Sequence, residues 1–174
     1  LSALIKIADG ADRLVRIVGE IVAWSGLVMV LLIAFNVIAR YFFSYGLVAL
    51  QELEWHLMAV GALFGICYAL NRREEVRVDV LYARFPPRVQ RAIDILGSLL
   101  LGLIALKIAW LSIGFVTRSY ALGEGSADPG GLPARYVLKA AIPAAFVLLA
   151  VQAFARVVHD TATLAARRTD PTGH

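Results

Sequence analysis

Residues 21–39 read IVAWSGLVMVLLIAFNVIA, nineteen positions without a charge, and Arg40 closes the run. At 1.5 Å per residue such a helix is about 28 Å long, which matches the roughly 30 Å hydrocarbon core of a bilayer. A soluble helix keeps a polar face; this one has none, so lipid is its natural surrounding. Three more runs follow the same rule. Trp55 to Leu70 is fenced by Glu54 and Arg72. Beyond Asp94 at its edge, Ile93 to about Val116 is interrupted only by Lys107, and Ala140 to Ala155 lies between Lys139 and Arg156. The reading is an all-α integral membrane protein with four transmembrane helices at about residues 17–39, 55–71, 93–116 and 138–158. The loops fall at about 40–54, 72–92 and 117–137, and the whole chain forms a single membrane module.

Composition points the same way. The 174 residues are 60% hydrophobic and 17% charged, with a mean hydropathy of +0.74. Soluble domains are about 45–50% apolar and about 25% charged. The net charge of +4 does not indicate nucleic acid, because the arginines sit beside apolar runs and no basic patch interleaves with exposed aromatics. Cys67 is the only cysteine, so no disulfide forms within the chain, and inside an apolar run it reads as a small hydrophobe. The chain starts at Leu1, which suggests processing. The first apolar run exceeds the 7–15 residues or so of a signal-peptide core, so it reads as a retained anchor.

Orientation follows from the cations in the short connections. Lys6, Arg13 and Arg16 precede the first span. Arg72, Arg73, Arg77, Arg84, Arg88 and Arg91 lie between the second and third, and Arg156, Arg167 and Arg168 follow the fourth. The other side has only Arg40, Arg118, Arg135 and Lys139. This places both termini and the central loop in the cytoplasm. Tyr41, Phe42, Phe43, Tyr45 and Trp55 then gather at the outer interface, with Trp24 and Tyr68 near the inner one, where amphipathic rings prefer to sit. Short amphipathic interfacial helices are expected at both faces. Leu4, Ala11, Leu14 and Val18 share one side of an inner segment, and Leu47, Leu50, Leu53 and Leu57 one side of an outer segment. Phe85-Pro86-Pro87 breaks the central loop before the third span, and residues 123–133 form a Gly/Pro-rich outer turn.

Few residues could carry chemistry. No Gly-Lys pair builds a phosphate loop and no Gly-x-Ser-x-Gly elbow is present. His56 and His159 fall at opposite membrane faces, which rules out a haem held between them within one chain, and His56 reads as an interfacial polar residue. No catalytic residue, metal site or cofactor is expected. Lys107 is an ionisable group inside a span; it either snorkels to the outer interface and pairs there, or takes part in ion coupling. Glu52 and Glu54 at the outer end of the second span, with Arg40, can pair with each other, with a partner subunit, or with water. Asn36 and Arg40 share a helix face. Gly61, Gly65 and Ala69 recur every four residues, as do Ala140 with Ala144 and Ala141 with Ala145; these small faces suit close helix contact within the chain or with a partner.

In this order the motifs resemble the small membrane subunit, the DctQ-like component, of tripartite ATP-independent periplasmic (TRAP) transporters, over about residues 17–158. The resemblance is carried by Asn36 and Arg40-Tyr41-Phe42, then Gln51-Glu52-Leu53-Glu54-Trp55, Gly61 to Gly65, and Tyr68-Ala69-Leu70. It continues through Val76-Arg77-Val78-Asp79-Val80-Leu81 and Phe85-Pro86-Pro87 to Gly131-Leu132-Pro133, Tyr136, Lys139, Ile142-Pro143 and Gln152. One departure is Glu75, where members often carry His. The resemblance implies a multi-pass protein of a bacterial or archaeal inner membrane that works beside a large ion-coupled membrane subunit. A periplasmic substrate-binding protein would deliver an organic acid or similar solute, driven in by a sodium gradient. In that setting Arg40, Glu52, Glu54, Arg135 and Lys139, with Gly61 and Gly65, are the expected partner interface. Arg77, Asp79, Lys107 and Trp55 are expected to be structural or interfacial, in contact with membrane lipids. The competing reading is an autonomous homo-oligomeric four-helix transporter, which would ordinarily carry a buried acid in mid-membrane; Glu20 lies at the inner end of the first span instead.

Overall fold

A computed structural model describes residues 2–43, 46–74 and 82–169. Four long helices make up these residues: α1 (Ser2–Phe43), α2 (Val48–Arg72), α3 (Pro87–Ala121) and α4 (Arg135–Thr169). All four are long and apolar enough to cross a membrane, and no strand occurs among the described residues. The fold is the expected four-helix membrane protein.

The helices run up and down. The start of α1 meets the ends of α2 and α4, while the start of α2 meets the connection that follows α3 and the start of α4. α4 is the hub, touching α1, α2 and α3, and α3 leans chiefly on α4. Both amphipathic stretches are helical, but neither is separate: each continues without a break into its span, as the first turns of α1 and α2. At 42 residues α1 is about 63 Å long, twice the hydrocarbon thickness. Nothing stops it near residue 17, because Gly10 and Gly19 are tolerated in a helix and no proline intervenes.

Ends are set by local chemistry. α2 stops in a Schellman motif. Arg73 adopts φ 57°, its N–H donates to Leu70 O, and the Glu74 N–H donates to Ala69 O at 3.0 Å. α3 opens with Pro86 extended at the cap and Pro87 at the first helical position, where its missing N–H costs nothing. It closes in a second Schellman motif, with Gly123 at φ 58° and the Glu124 N–H donating to Ser119 O. Pro143 lies inside α4 and removes the bond to the Lys139 carbonyl.

Small residues decide which faces meet. α3 buries Ser98, Gly102, Ala105 and Ala109 against α4, which buries Ala145, Leu149 and Ala153. A Cβ on Gly102 would stand 3.3 Å from the Phe154 ring and 3.4 Å from Ala153. α1 buries Ala8, Val15 and Gly19, and Gly19 abuts the Tyr68 side chain of α2. The bulkier Leu4, Ile7, Leu14 and Ile17 remain on its open side. Outside a bilayer this would be an unfavourable surface. Within one it is the face lipid or another protein covers.

Candidate functional site

The polar side chains of the bundle fall into two tiers. The upper tier centres on Glu52, on the second turn of α2 and only 2% exposed. Its carboxylate accepts hydrogen bonds from the Ser126 hydroxyl, from the Leu132 N–H at 2.6 Å and from Arg135 Nη2 at 3.3 Å. Gly131 makes room for it: a Cβ there would come within 2.8 Å of Glu52 Oε2. Beside it Glu124 accepts from Lys139 Nζ and from Ser119 Oγ (2.6 Å), and the Arg135 N–H donates to the Glu124 carbonyl. Lys139 also sits over the Phe115 ring, 4.2 Å from its centre. These bonds hold the Glu124 carboxyl below the usual carboxylate range, the Lys139 bond foremost and Ser119 next, against a smaller opposing effect of desolvation. The connection between α3 and α4 is therefore folded down onto the head of α2.

The lower tier joins three helices at the end that holds the termini. Asp12 Oδ1 accepts from Gln152 Nε2 at 2.8 Å and from Asn71 Nδ2 at 3.4 Å, and Asp12 Oδ2 lies 3.0 Å from His159 Nε2. Asn71 also donates to Gln152 Oε1 and to the Asp12 carbonyl. Next to it Asp160, 5% exposed, accepts from Arg73 Nη2 at 3.0 Å. Glu52 and Asn71 are 19 residues apart on α2, and Arg135 and Gln152 are 17 apart on α4. These separations put the tiers about 26–29 Å apart, the thickness of a hydrocarbon core.

Against the sequence expectations, the structure brings Glu52 together with Arg135, and Lys139 with Glu124, inside the chain. Glu54 accepts from Asn36 Nδ2 at 3.4 Å, so Asn36 pairs across to α2 while Arg40 stays exposed. Trp55 is exposed on the flank of α2. Gly61 lies against Ser25 of α1, 3.4 Å from a built Cβ, whereas Gly65 has nothing within 4 Å. Lys107 is exposed, its Nζ 4.6 Å from the Trp110 ring centre. Arg77 and Asp79, with Glu75, Tyr45 and His174, lie outside the described residues.

Sequence reasoning missed the lower tier and the partners of Glu52. Asn71 and Gln152 carried a signal, as lone amides at the ends of apolar runs. Asp12, 140 residues before Gln152, carried none. Asp9, Asp12 and His159 place three ligand-type atoms within 4.8 Å of one another. Both Asp12 oxygens are engaged by Asn71, Gln152 and His159, so in this structure the group forms a hydrogen-bond network.

Among the described residues no nucleophile, base and oxyanion pocket are arranged together. The architecture braces a membrane bundle at two depths and leaves its flanks apolar. Comparison with known proteins bears on what such a bundle serves. A family model described as tripartite ATP-independent periplasmic transporters, DctQ component, matches residues 29–163. No curated protein matches the chain.

Proposed function

The chain belongs to the DctQ component family of tripartite ATP-independent periplasmic transporters, and from that premise we propose that it scaffolds the large ion-coupled subunit of such a transporter. The family is a transporter component rather than an enzyme. In the proposed cycle a periplasmic binding protein delivers an organic acid or similar solute. The large subunit moves it inward on a sodium gradient, and this chain holds that subunit in a bacterial or archaeal inner membrane. The lower tier then faces the cytoplasm, following the excess of Lys and Arg at that end.

One observation carries the reading: the bundle is braced by polar contacts near its two ends, and the apolar mid-membrane stretches of α1, α2 and α4 hold no carboxylate to couple an ion, Glu20 lying at the inner end of the first span. Residues 21–39, 55–70 and 140–155 contain no acid, and α3 contributes only Lys107 at depth. A self-sufficient proton-coupled carrier ordinarily uses such a group.

The partner-facing residues narrow accordingly. Glu52, Arg135 and Lys139 are bonded within the chain and Gly61 is covered by α1. The surface we assign to partners is Arg40 and Glu54 at the upper rim, with Trp55, Met58, Ala62, Gly65 and Ile66 down the open face of α2. Two small residues, Ala62 and Gly65, lie between the larger Met58 and Ile66 there, which admits another helix closely. Gly65→Leu fills open space, so it leaves the isolated chain folded. It should abolish co-purification of the large subunit and solute uptake by cells, and Arg40→Glu should weaken both. Unchanged co-purification in both variants would remove this surface. Solute transport by the purified chain alone in vesicles would remove the scaffold reading itself.

A further inference from the structure

We infer that the cleft between the start of α1 and the end of α2 binds the phosphodiester headgroup of an anionic phospholipid. The cleft has a volume of about 420 Å³ and is lined by Asp9, Asp12, Arg13, Arg16, Asn71, Arg72 and Arg73. Asp9, Asp12, Arg13 and Arg16 recur at three- and four-residue spacing, so α1 turns one face to it. The end of α2 supplies the other wall, where the left-handed turn at Arg73 lets two consecutive arginines project around a closed helix end.

Charge decides what the cleft accepts. The two carboxylates are turned toward α4: Asp12 is occupied by Asn71, Gln152 and His159, and Asp9 Oδ1 lies 3.6 Å from His159 Nε2. Arg73 is shared with Asp160, and Arg72 lies 5.6 Å from the Tyr68 ring centre. Arg13 and Arg16 have no acidic partner among the described residues, although they line the cleft and are exposed. With Arg73 held by Asp160, three guanidinium groups (Arg13, Arg16 and Arg72) stand beside Asp12, which is bonded toward α4, and the exposed Asp9, which leaves the wall positive on balance. Forked guanidinium donors suit a phosphate oxygen pair.

Depth decides between a lipid and a free anion. The cleft belongs to the lower tier, about 26–29 Å from the upper one, which is where the phosphates of one leaflet lie. Counting up α1 from Arg13 in steps of four, four and three gives Ile17, Ile21 and Trp24, all exposed on one stripe. An acyl chain attached to a phosphate at Arg13 and Arg16 runs along that stripe. A free phosphate makes no use of it. Basic pockets at the cytoplasmic ends of spanning helices hold anionic headgroups in this way. The assignment is independent of the transporter role and requires only that the helices span a bilayer.

Native mass spectrometry of the full chain in detergent tests it, with phosphatidylglycerol, phosphatidylcholine of the same acyl chains, and inorganic phosphate as probes. The expected result is one phosphatidylglycerol retained in preference to phosphatidylcholine and not displaced by millimolar phosphate. Arg13→Gln with Arg16→Gln should weaken phosphatidylglycerol binding by about thirtyfold, from two near-surface cations. Arg118→Gln, at the opposite end of the bundle, should leave it unchanged. Helicity and monodisperse elution check folding, and Arg16→Gln alone serves if the double variant does not fold. Equal retention of the two lipids, full retention by the double variant, or displacement by inorganic phosphate would each overturn the assignment.

Discussion

Replacing Gly19 by alanine tests how closely α1 and α2 are apposed. A Cβ at Gly19 would stand 2.6 Å from Tyr68 Cγ and 2.8 Å from Tyr68 Cβ. Carbon atoms rest at about 3.5–4.0 Å, so about 1 Å of movement is needed. The ring can swing aside about χ1, but Tyr68 Cβ is fixed to the α2 backbone, so the helices themselves must part. A radial gap of 0.5–1 Å forfeits about a quarter to a half of each neighbouring dispersion contact. Buried Val15 and Leu70 sit at that level, within the same core cluster as Ala150 and Ala153 of α4. Overpacking of this kind costs about 1–3 kcal/mol, and relief of the glycine's helix penalty returns about 1 kcal/mol. The expected net destabilisation is about 0–2 kcal/mol, which is about 1–3 kcal/mol relative to a helical glycine whose new Cβ meets nothing. Denaturation by SDS titration from mild micelles, followed by helical circular dichroism, measures it. Gly26, seven residues further along α1, has nothing within 4 Å of a built Cβ and provides the control. Gly26→Ala should be neutral or slightly stabilising. If Gly19→Ala proved as stable as Gly26→Ala, the close α1–α2 contact would be refuted.

Two further outcomes follow from the tiers. Because the Glu124 carboxyl is held below its ordinary value, its contribution to the α3–α4 connection is complete above about pH 4.3 and is lost as pH falls through the lower folded value. Amide exchange at Ser126 and Arg135, corrected for intrinsic rates, should show protection that persists to mild acidity and then collapses. Glu124→Gln should lower that protection at neutral pH and flatten its acid dependence; an unchanged profile would count against the Lys139–Glu124 tie. In the lower tier, Gln152→Leu removes the 2.8 Å bond to Asp12 and one partner of Asn71, and should cost about 0.6–1.7 kcal/mol in the same SDS titration. Gln152→Glu sets a second carboxylate against Asp12 and should cost more at neutral pH than in acid, whereas equal losses at both pH values would mean the two side chains do not face each other.

The partner surface proposed on α2 and the lipid cleft at its far end occupy different levels of one helix. Loss of the large subunit in Gly65→Leu and loss of phosphatidylglycerol in the Arg13/Arg16 variant should therefore occur separately. A variant defective in both would point to lipid bridging the two proteins.

Reading the chain in order was enough for the number of spans, the all-helical class, the Pro86-Pro87 entry to α3 and the glycine-rich turn after it. Each of these depends on local quantities: a run long enough to reach across lipid, a ring that fixes φ, a residue without a Cβ. The motif order was also enough to indicate the family that the profile match shows. Rotation of each helix about its own axis was not legible. Hydrocarbon outside the bundle is as apolar as leucine inside it, so a uniformly apolar run carries no polarity signal for its buried side. Small residues settle the matter where backbones approach, and the sequence offered more of them than are used: Gly61 is covered while Gly65 is open, and Ser98, Gly102, Ala105 and Ala109 make the α3 seam although the glycines of α2 stood out first. The charges behave alike. Glu52 and Arg135 looked like surface groups, and only the fold sets a carboxylate on α2 against a loop amide 80 residues later, or Asp12 against Gln152 across 140. Partners so distant in sequence meet only once the helices are docked, and a buried charge at a helix end has to find them because no water reaches it there.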